Sequence, residues 1–208
     1  MNQSDQINFS CIVLAGGAAR RFGAPKGLSR LGDETMLLRI VRRVREQTTG
    51  EILINADQYG PYADQGLPIL SDRLFAGAGP LAGIGSAMRY AMTIGHRYVF
   101  TVPIDTPFLP SDLFTELVKV KPPVVASSRG RLHPTCGLWC VDWMERLHEY
   151  LGQGQRSVRG WVDVCRAEFC EFDAQGSIDP FFNVNTKAQL DLARKAIEAN
   201  PSGADGRY

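Results

Sequence analysis

Apolar runs bounded by glycine and proline recur along the first part of the chain. They are FSCIVLA (9–15), EILINA (51–56), LPIL (67–70), RYVFTVP (97–103) and PPVVAS (122–127). Each is β-rich and nearly continuous rather than alternating, which is the pattern of strands covered on both faces. Between them the period changes to that of a helix. In TMLLRIVRRVREQ (35–47), Met36, Leu37, Ile40, Val41 and Val44 make one stripe. Arg39, Arg42, Arg43 and Arg45 fall mostly on the other side, where solvation is expected. In residues 81–92, Leu81, Ile84, Met88 and Ala91 recur at helical spacing, and Pro80 suits the first turn.

The second half is less regular. CGLWCVD (136–142) reads as a strand running into a helix over about 142–151, and 157–165 reads as another helix. Thr186 and Gln189 form a T-x-x-Q capping box that opens a helix with Leu190, Ala193 and Ile197 inward. Strands alternating with helices predict βαβ units and an α/β fold, a three-layer, doubly wound and mainly parallel sheet. One domain over 1–199 is expected, with NPSGADGRY (200–208) a disordered tail.

Composition narrows the function. A chain of 208 residues, 44% hydrophobic and 22% charged, can bury a core without staples. A net charge of +1 argues against nucleic acid as a partner. With no run of 18 apolar residues and no signal-like start, no membrane partner is expected and the cytoplasm is the expected location. The five cysteines include no C-x-x-C pair and read as reduced thiols. His133, Cys136 and Cys140 read as buried strand residues rather than a metal site.

Charge is concentrated in one place. LAGGAARRFGAPKG (14–27) follows the first strand, where ligands sit in parallel sheets. Its glycines let the backbone approach a ligand, and Arg20, Arg21 and Lys26 can neutralise phosphates. A polyphosphate site and a basic surface loop both fit this stretch taken alone. G-x-x-x-x-G-K-[ST] and G-x-G-x-x-G are absent, and GAGPLAG (77–83) is one residue too long between its last glycines. A nicotinamide-binding Rossmann domain is therefore a poor fit. Asp105 in TVPIDTPF and Asp72 in ILSDRL each follow a strand and can face the same edge. A carboxylate there can hold Mg²⁺, which favours oxygen ligands and substrate phosphates.

Together these motifs resemble the molybdenum cofactor guanylyltransferases, within the nucleotidyltransferases that activate sugars and cofactors. The family pattern L-A-G-G-x-x-x-R-M-G followed by K matches Leu14 to Gly17, Arg21 to Gly23, and Lys26. INAD (54–57), SDRL (71–74), GPLAG (79–83), PIDTPF (103–108), HPT (133–135) and FNVNT (182–186) continue the resemblance in order. It implies a Rossmann-like nucleotidyltransferase fold and transfer of GMP from GTP to molybdenum-molybdopterin, with release of pyrophosphate. It implies Leu14, Ala15, Gly16 and Gly17 at the guanine and ribose, Asn55 and Asp72 on the nucleoside, and Arg21 and Lys26 on the triphosphate. Asp105 would carry Mg²⁺ and complete a catalytic set with Arg21 and Lys26. On the acceptor side the resemblance implies Arg156 and Arg159 at the pterin phosphate, with a solvated loop as the alternative, and Asn183 and Asn185 hydrogen-bonding its heterocycle or orienting the site. His133 reads as a structural hydrogen-bonder.

Two asparagines in the apolar run FFNVN need partners wherever they are enclosed. The attacking group is itself a phosphate anion, so no strong general base is called for, but two anions must meet. The doubled Arg20–Arg21 suits that demand. Phe22 stands where the family usually has methionine and resembles the related cytidylyltransferases, so CTP is the alternative donor. A sugar-phosphate nucleotidyltransferase is the third enzyme reading. Delivery of a labile cofactor implies transient contact with the molybdenum-inserting protein and with recipient molybdoenzymes.

Overall fold

Ser10–Leu14 forms a fully buried strand, β1. Its side chains alternate between faces: Cys11 and Val13 join one apolar cluster, Ile12 and Leu14 another. This is why the run reads as continuous rather than alternating. The computed structural model describes residues 9–16, 25–72, 75–173 and 178–199. The expected tail at 200–208 lies outside them.

A short antiparallel hairpin follows, β2 (Arg30–Leu31) and β3 (Glu34–Thr35). The larger sheet adds β4 (Ile52–Asn55), β5 (Ile69–Leu70), β6 (Tyr98–Pro103), β7 (Val124–Ser128), β8 (Arg131–Cys140) and β9 (Glu168–Glu171). Its order is β5-β4-β1-β6-β8-β7-β9. The pairs β5/β4, β4/β1, β1/β6 and β7/β9 are parallel, whereas β8 runs antiparallel to both β6 and β7. The sheet is thus mainly parallel, with one reversed strand. β4 and β5 lie on one side of β1 and β6 on the other, so the chain changes direction at β1, where doubly wound sheets open a crevice.

Helices cover both faces. α1 (Met36–Arg45) packs Leu37, Ile40, Val41 and Val44 onto the Cys11 and Val13 side, joined by the short α3 (Leu113–Leu117). Thr35 caps α1 by accepting from the Leu38 amide at 3.3 Å. α2 (Pro80–Thr93), α4 (Met144–Gly152) and α5 (Val158–Val164) pack on the opposite side around Trp139 and Trp161. α6 (Lys187–Ala199) buries Leu190 and Ala193 against Leu31 and Met36, with Ile197 alongside. Thr186 Oγ1 accepts from the Gln189 amide at 3.2 Å, as the capping motif requires.

The structure departs from the sequence pattern at α1. Arg42 and Arg45 reach solvent, but Arg39 and Arg43 are buried, at 4% and 3% exposure. Arg39 Nε donates to the Pro107 carbonyl at 3.1 Å and Arg43 Nε to the Leu109 carbonyl at 2.6 Å. A hydrophobic stripe marks the face toward the sheet; it does not reveal that an irregular segment covers the helix flank and offers carbonyls there.

Candidate functional site

The registers of the four parallel strands place Leu70, Asn55, Leu14 and Pro103 in one row across the sheet. Asn55 stands in that row. Gly16, Asp72 and Asp105 each lie two residues beyond it, on neighbouring strand ends. A parallel ladder fixes this alignment, so residues distant in sequence share one edge.

The first half of the site surrounds Gly16. A Cβ there would lie 3.3 Å from Asn55 Oδ1 and 3.5 Å from Asp72 Oδ2. Asn55 is 2% exposed, and its Nδ2 donates to the Leu70 carbonyl at 3.0 Å, which turns Oδ1 toward Gly16 and Gly83. The Ala15 amide donates to the Asn55 carbonyl at 3.0 Å, locking the start of the glycine loop to β4. Gly83 packs the first turns of α2 so closely that a Cβ would sit 2.5 Å from Asn55 Oδ1 and 2.6 Å from Leu14 Cδ2. Pro80 opens α2 after Gly79, whose φ of 59° and ψ of −141° only glycine adopts readily.

The second half centres on Lys26, in a 3₁₀ turn over Lys26–Leu28. Its ammonium donates to Asn185 Oδ1 at 2.5 Å and stands 3.5 Å from Asp105 Oδ2. Burial pushes the Asp105 carboxyl above the usual carboxylate range, and the Lys26 ammonium pulls it back. The Asp105 carbonyl accepts from the Val184 amide at 2.8 Å, so the strand end and the FFNVN segment are tied by backbone. That segment is irregular: Phe181 and Val184 point inward, while Asn185 is exposed and partnered by Lys26.

A recess of about 110 Å³ adjoins Asp105 and is lined by Pro103, Thr106, His133, Thr135, Phe181 and Asn183, among others. His133 stacks on Phe181, with ring centroids 4.4 Å apart. Ser128 Oγ lies 2.9 Å from both Asp179 carboxylate oxygens and 2.8 Å from His133 Nε2. The hydroxyl has one proton and gives it to the carboxylate, so it accepts from Nε2–H of a neutral ring. This is a structural network, not a nucleophile and its base.

Leu14, Ala15, Gly16, Asn55 and Asp72 therefore meet in one half of the edge, and Lys26, Asp105 and Asn185 in the other. Gly17, Arg20, Arg21 and Phe22 lie outside the described residues. Arg156 is held elsewhere: its Nη1 donates to the Leu151 and Gln155 carbonyls at 2.8 and 2.7 Å, closing the end of α4. Tyr62 carried no signal of its own in the sequence, yet its hydroxyl accepts from the Gly27 amide at 3.1 Å and fixes the turn bearing Lys26. A Cβ on Gly27 would lie 2.3 Å from Ile104 Cδ1.

Among the described residues no group of three or more His, Cys, Asp or Glu is placed to hold a metal ion. Asp105 offers one largely desolvated carboxylate just past a strand end, beside Lys26. A hard divalent cation that keeps waters and takes substrate phosphates as its other ligands fits such a site; a cation requiring a full protein cage does not.

A doubly wound sheet with Gly16, Lys26 and isolated carboxylates gathered at its carboxyl edge is an α/β fold laid out to take a phosphate-bearing ligand there. Residues 11–167 match the family described as MobA-like NTP transferase domain, and the chain belongs to that family. It is 36% identical over 215 residues to a molybdenum cofactor guanylyltransferase of Rhizobium rhizogenes, covering 95% of this chain and 98% of the relative. It is 38% identical over 184 residues to one of Acidiphilium cryptum, covering 88% and 92%. The fold is that of molybdopterin-guanine dinucleotide biosynthesis protein A from Archaeoglobus fulgidus, with a TM-score of 0.71, 18% identity, and 92% and 100% of the two chains covered. It is shared with 2-C-methyl-D-erythritol 4-phosphate cytidylyltransferase from Thermus thermophilus, with a TM-score of 0.60, 15% identity, and 90% and 98% covered.

Proposed function

We propose that the chain transfers GMP from GTP to molybdenum-bearing molybdopterin, forming the guanine dinucleotide cofactor and releasing pyrophosphate. The observation that carries this reading is the common edge on which Gly16, Asn55, Asp72, Asp105 and Lys26 stand, in a chain so similar to named guanylyltransferases. An oxygen of the terminal pterin phosphate attacks the α-phosphorus of GTP. The bond from that phosphorus to the bridging oxygen of the β-phosphate breaks, and the pair stays with pyrophosphate.

Leu14, Ala15 and Gly16 receive the nucleoside, a role the family resemblance extends to Gly17, with Asn55 and Asp72 as its polar partners. Gly16 leaves room where a side chain would press on both of them. Lys26, with Arg21 from the same loop, neutralises the triphosphate and stabilises the departing pyrophosphate. Asp105 would hold Mg²⁺, which would supply positive charge against the phosphates. Asn183, in the recess, and Asn185, beside Lys26, orient the acceptor. Arg156 joins the acceptor phosphate only by leaving the carbonyls it now caps.

The test supplies α-phosphate-labelled GTP or CTP, Mg²⁺ and molybdenum-loaded molybdopterin, and follows label into the pterin. Label from GTP alone is expected. Label from CTP would move the chain to the cytidylyl branch that Phe22 resembles. Label from neither would overturn the reading.

A further inference from the structure

The two guanidinium groups that α1 buries are engaged with one short segment. Arg39 Nε donates to the Pro107 carbonyl at 3.1 Å, its Nη1 meets Glu34 Oε1 at 3.0 Å, and its guanidinium carbon lies 5.9 Å from the Phe108 ring centroid. Arg43 Nε donates to the Leu109 carbonyl at 2.6 Å. Just past the helix end, Gln47 Nε2 donates to the Pro110 carbonyl at 2.8 Å, and its Oε1 accepts from the Phe114 amide at 3.0 Å. Residues spaced by four share one helical face, so these side chains form a row. The row grips residues 107–110, the stretch that leads away from Asp105.

Asp105 is thus fixed from two directions. Behind it, the Ile104 amide donates to the Leu14 carbonyl at 3.1 Å, and Thr106 Oγ1 closes the turn onto the Pro103 carbonyl at 3.0 Å. Ahead of it, the carbonyls of 107, 109 and 110 are held by side chains instead of a sheet ladder. Burying a guanidinium is costly, and apolar residues of similar size often pack as well or better. What arginine adds is a rigid fork of donors aimed at carbonyls that an irregular segment leaves without ladder partners.

We propose that Arg39 and Arg43 are positioning residues for nucleotidyl transfer. They hold the 107–110 segment and thereby set the Asp105 carboxylate against Lys26 and Asn185. This rests on the reading of that edge as the transfer centre.

The experiment compares the full chain with Arg39→Lys and Arg43→Lys, which keep charge and stem but lose the fork, and with Arg43→Met. Arg45→Lys, on the exposed face of α1, is the control. Transfer of labelled GMP is measured against GTP and Mg²⁺ concentration, well below each melting temperature. Binding of a fluorescent GTP analogue is measured without metal.

Displacements near 1 Å at a reacting centre can cost about 100-fold, so kcat of Arg43→Lys should fall about 10-fold or more. The Mg²⁺ concentration for half-maximal rate should rise, while KM for GTP and metal-free analogue binding stay within about two-fold. Arg43→Met should fall further, and Arg45→Lys should match the wild type. Lowered melting temperatures with unchanged kcat and Mg²⁺ dependence would overturn the proposal and leave the transfer reading intact. Absence of transfer by the wild-type chain from any nucleotide would overturn both.

Discussion

At the residue scale, Lys26 and Asp105 should separate by kinetic signature. In the proposed reaction Lys26 would meet ground-state phosphates as well as the departing group, so Lys26→Ala should raise KM for GTP and lower kcat together. Removing one preorganised charge at such a centre costs about 10²–10³-fold in rate. Asp105→Asn should lose turnover on a similar scale while the fold does not suffer. Burial disfavours the Asp105 charge, and asparagine keeps the shape without it. Its melting temperature should equal or exceed that of the wild type, as expected of a charge kept for function against stability. A fall in melting temperature alongside retained turnover would show that Asp105 serves the fold. Tyr62→Phe is a milder probe: it removes only the hydroxyl that accepts from Gly27, about 1 kcal/mol of stability. It should raise KM for GTP through a looser Lys26 turn, read by steady-state kinetics.

At the element scale, the decisive contact is between α2 and the ends of β1 and β4. Gly83 allows that helix to approach Asn55 and Leu14, so Gly83→Ala forces either the helix or the Asn55 amide to move. Overpacking of this kind costs about 1–3 kcal/mol. Because Asn55 faces Gly16, nucleotide binding should weaken as well, measurable by titration with a GTP analogue. Gly85→Ala, on the same helix, meets the Phe75 ring and Leu147 instead and should cost stability alone. The sequence marked GPLAG as a motif and Pro80 as a helix start, because both are local signals. It did not show that the motif's last glycine packs against Asn55, since that contact depends on how a helix seats on strands distant in the chain. The same limit hid β9, α3 and the β2–β3 hairpin: each is short, and two residues of strand leave no period to read.

At the scale of the whole molecule, the parallel half was legible because strands buried on both faces announce themselves, and their carboxyl ends locate Gly16, Asp72 and Asp105. The second half was not, because β8 runs against the others and its partners are set by tertiary contacts. What joins the halves is the segment around Asp179 to Asn185, and His133 of β8 pins it through Phe181 and Ser128. The ring is buried to 9% exposure, gives Nε2–H to Ser128 and stacks on Phe181. Burial holds its pKa below the ordinary histidine value, with the Asp179 carboxylate acting in the opposite direction. Just below the ordinary value the unfolded chain therefore binds more protons than the folded one. Stability should rise with pH through that window and be lost as pH falls through it. A protonated ring keeps its bond to Ser128 but adds an enclosed charge beside Phe181, and the Asp179 to Asn185 segment should loosen first. Urea unfolding of the wild type at a series of pH values from about 5 to 7.5 checks this against His133→Gln, which lacks the titrating group. The variant should be less stable at neutral pH but flatter in its pH dependence. Parallel pH profiles for the two chains would show that another group carries the acid sensitivity and that His133 contributes packing alone.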